Sequence, residues 1–129
     1  MIAVDTNILV RYLTKDDEQQ WRQAAEIIEG GEQCFVANIV LCELVWVLRG
    51  KPYQFSREEI SNTIALMLQC STFEMENRSV IYRALQQFNQ GKADFSDYLI
   101  GAVAQNFGCI STATFDKKLK NENGFNLFE

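Results

Sequence analysis

The sequence predicts an α/β protein: a parallel sheet of four to five strands covered by helices on both faces. Three observations carry that prediction. Short apolar runs alternate with longer segments whose apolar residues recur at helical spacing. No hairpin signal joins one run to the next, and the runs lack the in-and-out alternation of a half-exposed strand. With 129 residues, 47% of them hydrophobic and 22% charged, the expectation is a single domain spanning residues 1–129.

Ile2 to Val4 reads as the first buried strand, and Ile8 to Leu13 as the helix after it. Trp21, Ala24, Ala25 and Ile28 repeat at i, i+3, i+4, i+7 until Gly30-Gly31 ends the second helix. Phe35 to Ala37 is the next strand. Asn38 is placed to cap a helix from Ile39 to Arg49, stopped by Gly50 and Pro52. Ser56 and Glu59 form a capping box for a helix whose buried stripe is Ile60, Ile64, Met67 and Leu68. Phe73 to Met75 is a further strand segment. Ile81, Ala84, Leu85 and Phe88 mark another amphipathic helix, closed at Asn89-Gln90-Gly91. A last helix runs from about Ser96 to Phe107, with Leu99, Ile100, Val103 and Phe107 inward and Gly108 at its end. Cys109 to Ser111 and, after the Asn123-Gly124 turn, Phe125 to Phe128 supply the remaining strands.

Composition restricts the chemistry. There is no histidine, which removes the Ser-His-Asp triad, Cys-His proteases and most zinc enzymes. The four cysteines, Cys34, Cys42, Cys70 and Cys109, form no CxxC pair and read as reduced core residues. Acid–base and ligand work therefore falls on carboxylates, whose oxygens suit hard cations such as Mg²⁺ or Mn²⁺. The apolar run before Asp5 is too short for a secretory leader, and Glu43 interrupts the apolar stretch from Ile39 to Leu48, so a cytoplasmic location with no membrane span is expected. A net charge of −5 opposes nucleic-acid binding at first sight. Setting Asp5, Glu43, Asp97 and Asp116 aside leaves 13 acids against 12 bases, and cations bound to those four would reverse their local sign.

Those four acids need explaining. Asp5 ends the first strand and begins a helix; it is either an N-cap or, if Thr6 and Asn7 share the capping, a free carboxylate. Glu43 is the only polar side chain between Asn38 and Arg49 and is expected to be buried, needing a cation: a metal, or a base such as Arg49 or Arg11. Asp94 and Asp97 lie three apart at the front of a helix, with Asp97 favoured as ligand and Asp94 as cap or outer support. Asp116 follows a strand and is either a fourth ligand or a turn residue among lysines. Ligands in open parallel sheets bind beyond the carboxyl ends of the strands, where the chain order carries these acids. Clustered carboxylates repel one another without a cation, and divalent ions held by them can activate water against a phosphodiester.

DTNILVRYL, NIVLCELVWVL, ADFSDYLIGAVAQNFGC and TATFDKKL, in this order over essentially the whole chain, resemble the PIN-domain ribonucleases, specifically the VapC toxins of bacterial toxin–antitoxin pairs. The resemblance implies a three-layer α/β/α sandwich and an acidic pocket that binds one or two Mg²⁺ or Mn²⁺ ions and cleaves RNA. By motif, Asp5, Glu43, Asp97 and Asp116 match the family's acids, Thr6 and Asn7 the polar residues after the first, and Thr114 the hydroxyl before the last. Asp94 stands where many relatives carry an acid. The resemblance further implies a homodimer inhibited by an antitoxin, and the apolar helix with Trp46 offers either an interface or simple core. Arg11, Lys15, Arg49, Lys51 and Lys92 are either RNA phosphate contacts or solvated charge. Two rivals remain: another magnesium-dependent phosphoryl-transfer domain, and a non-catalytic PIN-like module that binds a protein.

Overall fold

The computed structural model describes all 129 residues, in the order β1 (Ile2–Ala3), α1 (Thr6–Thr14), α2 (Glu18–Ile28), β2 (Cys34–Val36), α3 (Asn38–Arg49), α4 (Arg57–Gln69), β3 (Phe73–Met75), α5 (Arg78–Gln90), α6 (Phe95–Phe107), β4 (Thr112–Thr114), a 3-10 turn (Lys117–Leu119) and β5 (Phe125–Leu127). Two compact units result, Met1–Arg78 and Ser79–Glu129.

In the first unit β1, β2 and β3 form a parallel sheet in that spatial order, with Ile2 opposite Cys34 and Val36 opposite Met75. Strand β2 is central, so its inward side chains Cys34 and Val36 are fully buried. At the edge, Ile2 and Ala3 of β1 are exposed and only Val4 is buried, which corrects the expectation of a strand covered on both faces. Helix α1 buries Leu9 and Val10, α2 buries Ala24, Ala25 and Ile28, α3 buries Leu41, Leu44, Val45 and Leu48, and α4 buries Ile60, Ile64 and Met67. The Ser56–Glu59 capping box forms in both directions. Asn38 does not cap α3: Ala37 occupies the N-cap, and the backbone N–H of Asn38 donates instead to Glu76 Oε1 at 2.9 Å. A carboxylate from the end of β3 thus supplies the acceptor and negative charge that the start of α3 lacks locally.

In the second unit α5 buries Val80, Ile81, Ala84, Leu85 and Phe88, and Phe88 meets Phe95 of α6 edge to face at 5.9 Å. β4 and β5 pair in parallel, Thr112 opposite Phe125. The five strands are thus hydrogen-bonded as a trio and a pair. Strand β4 begins three residues later than expected. Gly108 takes the left-handed C-cap of α6 (φ 107°) and the Cys109 N–H still bonds to Ala104 O, so the chain cannot enter a ladder until the helix end is satisfied. On α6 the inward residues are Phe95, Tyr98, Leu99 and Ala102; Ile100, Val103 and Phe107 are exposed, against expectation. The apolar positions wrap most of that helix, so its sequence pattern does not select a face. Cys34 is buried, but Cys70 and Cys109 are exposed rather than core, and all four thiols are free.

Candidate active site

Within the first unit, Asp5 sits at the N-cap of α1, where its Oδ1 accepts the Ile8 N–H at 3.2 Å. Thr6 and Asn7 do not share that task. The Thr6 hydroxyl instead donates to Glu43 Oε1 at 2.8 Å, tying the start of α1 to the second turn of α3. Asn7 is exposed, as is Asp5, whose Oδ2 is left without a partner. Glu43 is also exposed, which corrects the expectation of burial. The core-facing stripe of α3 is Leu41, Leu44, Val45 and Leu48, and Glu43 lies off it, on the surface that also carries Ile39 and Trp46 at 71% and 80% exposure. No base pairs with Glu43: the ion pairs of the structure are Met1–Glu32, Arg11–Asp16 and Arg22–Glu18.

Within the second unit, Asp94 is the N-cap of α6, and Asp97 Oδ2 accepts its backbone N–H at 3.3 Å. Asp94 is exposed and Asp97 half-buried. Burial raises the Asp97 pKa first, and the negative charges of Asp94 and Asp116 raise it further, against the opposing backbone hydrogen bond and Lys118. Asp116 caps the 3-10 turn, accepting the Lys118 N–H at 2.9 Å, while its own N–H donates to Thr114 Oγ1 at 3.0 Å. Thr114 therefore fixes the backbone that carries Asp116.

The donors are all oxygen, and Asp97 keeps its proton more tightly because burial, and after it the charges of Asp94 and Asp116, disfavour its ionised form; both features fit a hard divalent cation. No three Asp, Glu or Cys side chains converge into a metal cage anywhere in the structure. The chemistry of the donor set fits such an ion.

Sequence reading overlooked a network beside Asp5. The Arg11 guanidinium donates from Nη1 to both oxygens of Asp16 at 2.9 Å and from Nε to Gln20 Oε1 at 2.6 Å. The Tyr53 and Thr14 hydroxyls also donate to Asp16, and the Tyr53 bond, followed by Arg11, pulls the Asp16 pKa down to about 2. The signal was available in the DD pair that follows α1. Lys15, another candidate phosphate contact, lies 4.9 Å over the Trp21 ring. No helix is long and apolar enough to cross a membrane.

The parallel α/β fold and its carboxylates belong to a chain whose residues 2–122 match the sequence pattern of the PIN domain; the chain belongs to that family. Among its relatives is a VapC ribonuclease of Aquifex aeolicus (strain VF5), 26% identical over 125 residues, covering 93% of this chain and 90% of the relative. A solved toxin–antitoxin complex from Klebsiella pneumoniae is 23% identical, covers 97% of this chain and 94% of its own, and overlays with a TM-score of 0.37.

Proposed function

We propose that the chain is a metal-dependent endoribonuclease, the toxin of a toxin–antitoxin pair, in which Asp5, Glu43, Asp97 and Asp116 hold one or two Mg²⁺ or Mn²⁺ ions. Thr6, Asn7, Asp94 and Thr114 support them. The observation that carries this reading is Asp97: a half-buried carboxylate whose proton affinity is raised while Asp94 and Asp116 face it, in a chain of a nuclease-bearing family. The half-burial of Asp97, against the exposure of Asp94, favours Asp97 as the ligand of the pair. A bound divalent cation supplies positive charge against the phosphodiester and lowers the pKa of water, chemistry that needs no histidine. The protein's part is to hold the carboxylates still: Thr6 restrains Glu43, the helix cap restrains Asp5, and Thr114 restrains the Asp116 backbone.

The ribonuclease name of the Aquifex relative supports RNA as substrate, and the motif resemblance to VapC toxins implies an antitoxin as partner. Trp46 and Ile39, exposed on α3, support a protein interface there, a second copy or the antitoxin, and the reading places the protein in the cytoplasm. The test is cleavage of total cellular RNA by purified, antitoxin-free protein with Mn²⁺, with EDTA, and with Asp5→Asn. Discrete fragments that require both the metal and Asp5 are expected. A folded Asp5→Asn protein that cuts as well as the parent refutes the assignment, and a trapped aspartyl-phosphate at Asp5 favours the phosphoryl-transfer rival.

A further inference from the structure

Next to Asp5, wholly within the first unit, lies a pocket of about 440 Å³ lined by Ala3, Asp5, Asn7, Ile8, Arg11, Gln20 and Gln23. That volume is within the roughly 300–1,000 Å³ range of small-ligand sites. Its charge is unsuited to a phosphate. The single cation, Arg11, is spent on Asp16, and the pocket contains the Asp5 carboxylate, so its net charge is negative or, with a cation at Asp5, near neutral. Its remaining polar groups are amides. Gln20 uses its Oε1 on Arg11 and keeps its Nε2 donors; the Gln23 amide makes no hydrogen bond within the protein, and neither does that of Asn7. Asp16 and Gln20 also immobilise the flat Arg11 guanidinium, while Ala3 and Ile8 add apolar surface.

Donor–acceptor amides beside a fixed planar group and an apolar floor match the needs of one unstacked nucleobase, which is read on its edges and stacked on its face. We propose that this pocket is a base-reading subsite that takes one nucleobase of the RNA adjacent to the cleaved phosphodiester, with Gln20 and Gln23 as the specificity-determining residues and Arg11 as an immobilised stacking surface. The proposal rests on the nuclease reading and assigns the sequence preference of the cut to the groove between α1 and α2. Asp16 and Tyr53 act through Arg11, as positioning residues.

The test uses the full chain and its Gln23→Leu and Gln20→Leu variants, checked for folding by circular dichroism. Each is given an RNA pool randomised around the cut with Mn²⁺, and short RNA oligomers differing at one base in EDTA. The parent is expected to prefer one base beside the cut by about 5- to 150-fold, the discrimination of one good bidentate contact, and both variants to flatten that preference. Cleavage by the variants with the parent's base preference intact overturns the subsite and leaves the nuclease reading standing. If the parent does not cut, the nuclease reading falls, and the EDTA arm still decides: base-dependent binding lost in Gln23→Leu supports the pocket. Binding that ignores the base, as expected of a groove for a peptide or for phosphates alone, overturns it.

Discussion

Replacing Thr6 with Val keeps the shape of the side chain and deletes the one hydroxyl that restrains Glu43. A hydrogen bond of this kind contributes about 0.5–1.5 kcal/mol net. At 2.8 Å to a carboxylate the bond is charge-assisted, but both partners are at the surface, so the neutral range applies. If the bond also holds Glu43 in place for catalysis, the same energy appears as a fall of about 2- to 13-fold in RNA cleavage. Two assays separate the bond from the function. A double-mutant cycle of Thr6→Val and Glu43→Ala, read by urea unfolding in EDTA, is expected to give a coupling near 1 kcal/mol, of the size that contacting pairs show. Thr6→Ser, which keeps the hydroxyl, is expected to restore cleavage. A cycle with no coupling, or Thr6→Val cutting as fast as the parent, refutes the restraint.

Other expectations follow from the same geometry. The Asp16 pKa is held at about 2, below its ordinary 3.8, so as pH falls the unfolded chain takes up the proton first and this group's stabilising contribution is lost between about pH 4 and 2; Asp16→Asn should flatten the urea midpoint over that range. Asp97 has the opposite sign: its raised pKa means that the fold disfavours the ionised form, a stabilisation lost as pH rises above 3.8, so without metal Asp97→Asn should raise Tm at neutral pH while removing Mn²⁺ binding by calorimetry. Gly101→Ala places a Cβ 2.5 Å from the Phe125 ring; overpacking of about 1–3 kcal/mol against a helix-propensity gain of about 1 kcal/mol predicts a net loss near 1 kcal/mol in denaturant unfolding. Glu76→Ala should cost about 0.5–2 kcal/mol by the same measurement, as loss of a helix cap does.

Local chemistry was legible where it decided the outcome alone. The Ser56–Glu59 box and the stripe of α5 form as expected, because a cap needs only its own turn and a 3.6-residue period selects a face when polar residues fill the other. Legibility stopped where a distant segment decides. Ala37 and Asn38 supply no cap because Glu76, 38 residues on, does so. Ile100, Val103 and Phe107 are as apolar as the residues α6 buries, so no pattern told them apart. Asp5, Asp94 and Asp116 each cap a helical start, the plainest reading of each, and capping does not exclude a second role. A one-residue view of Glu43 foresaw burial; the structure gives it a hydroxyl partner on the surface instead.

The carboxylate that starts α3 comes from the far end of β3, and the Glu76 N–H in turn bonds to Val36 O at the end of β2. The helix that carries Glu43 thus cannot be properly begun until two strands distant in sequence have found their register, a closure of high contact order and slow compared with local helix growth. During synthesis a nascent chain that has emerged only as far as residue 75 contains Asp5, Thr6 and Glu43 and lacks the group that completes the start of α3. Asp97 and Asp116 lie further on still, so the acids of the first unit are made and held apart from a finished α3 until the sheet has assembled.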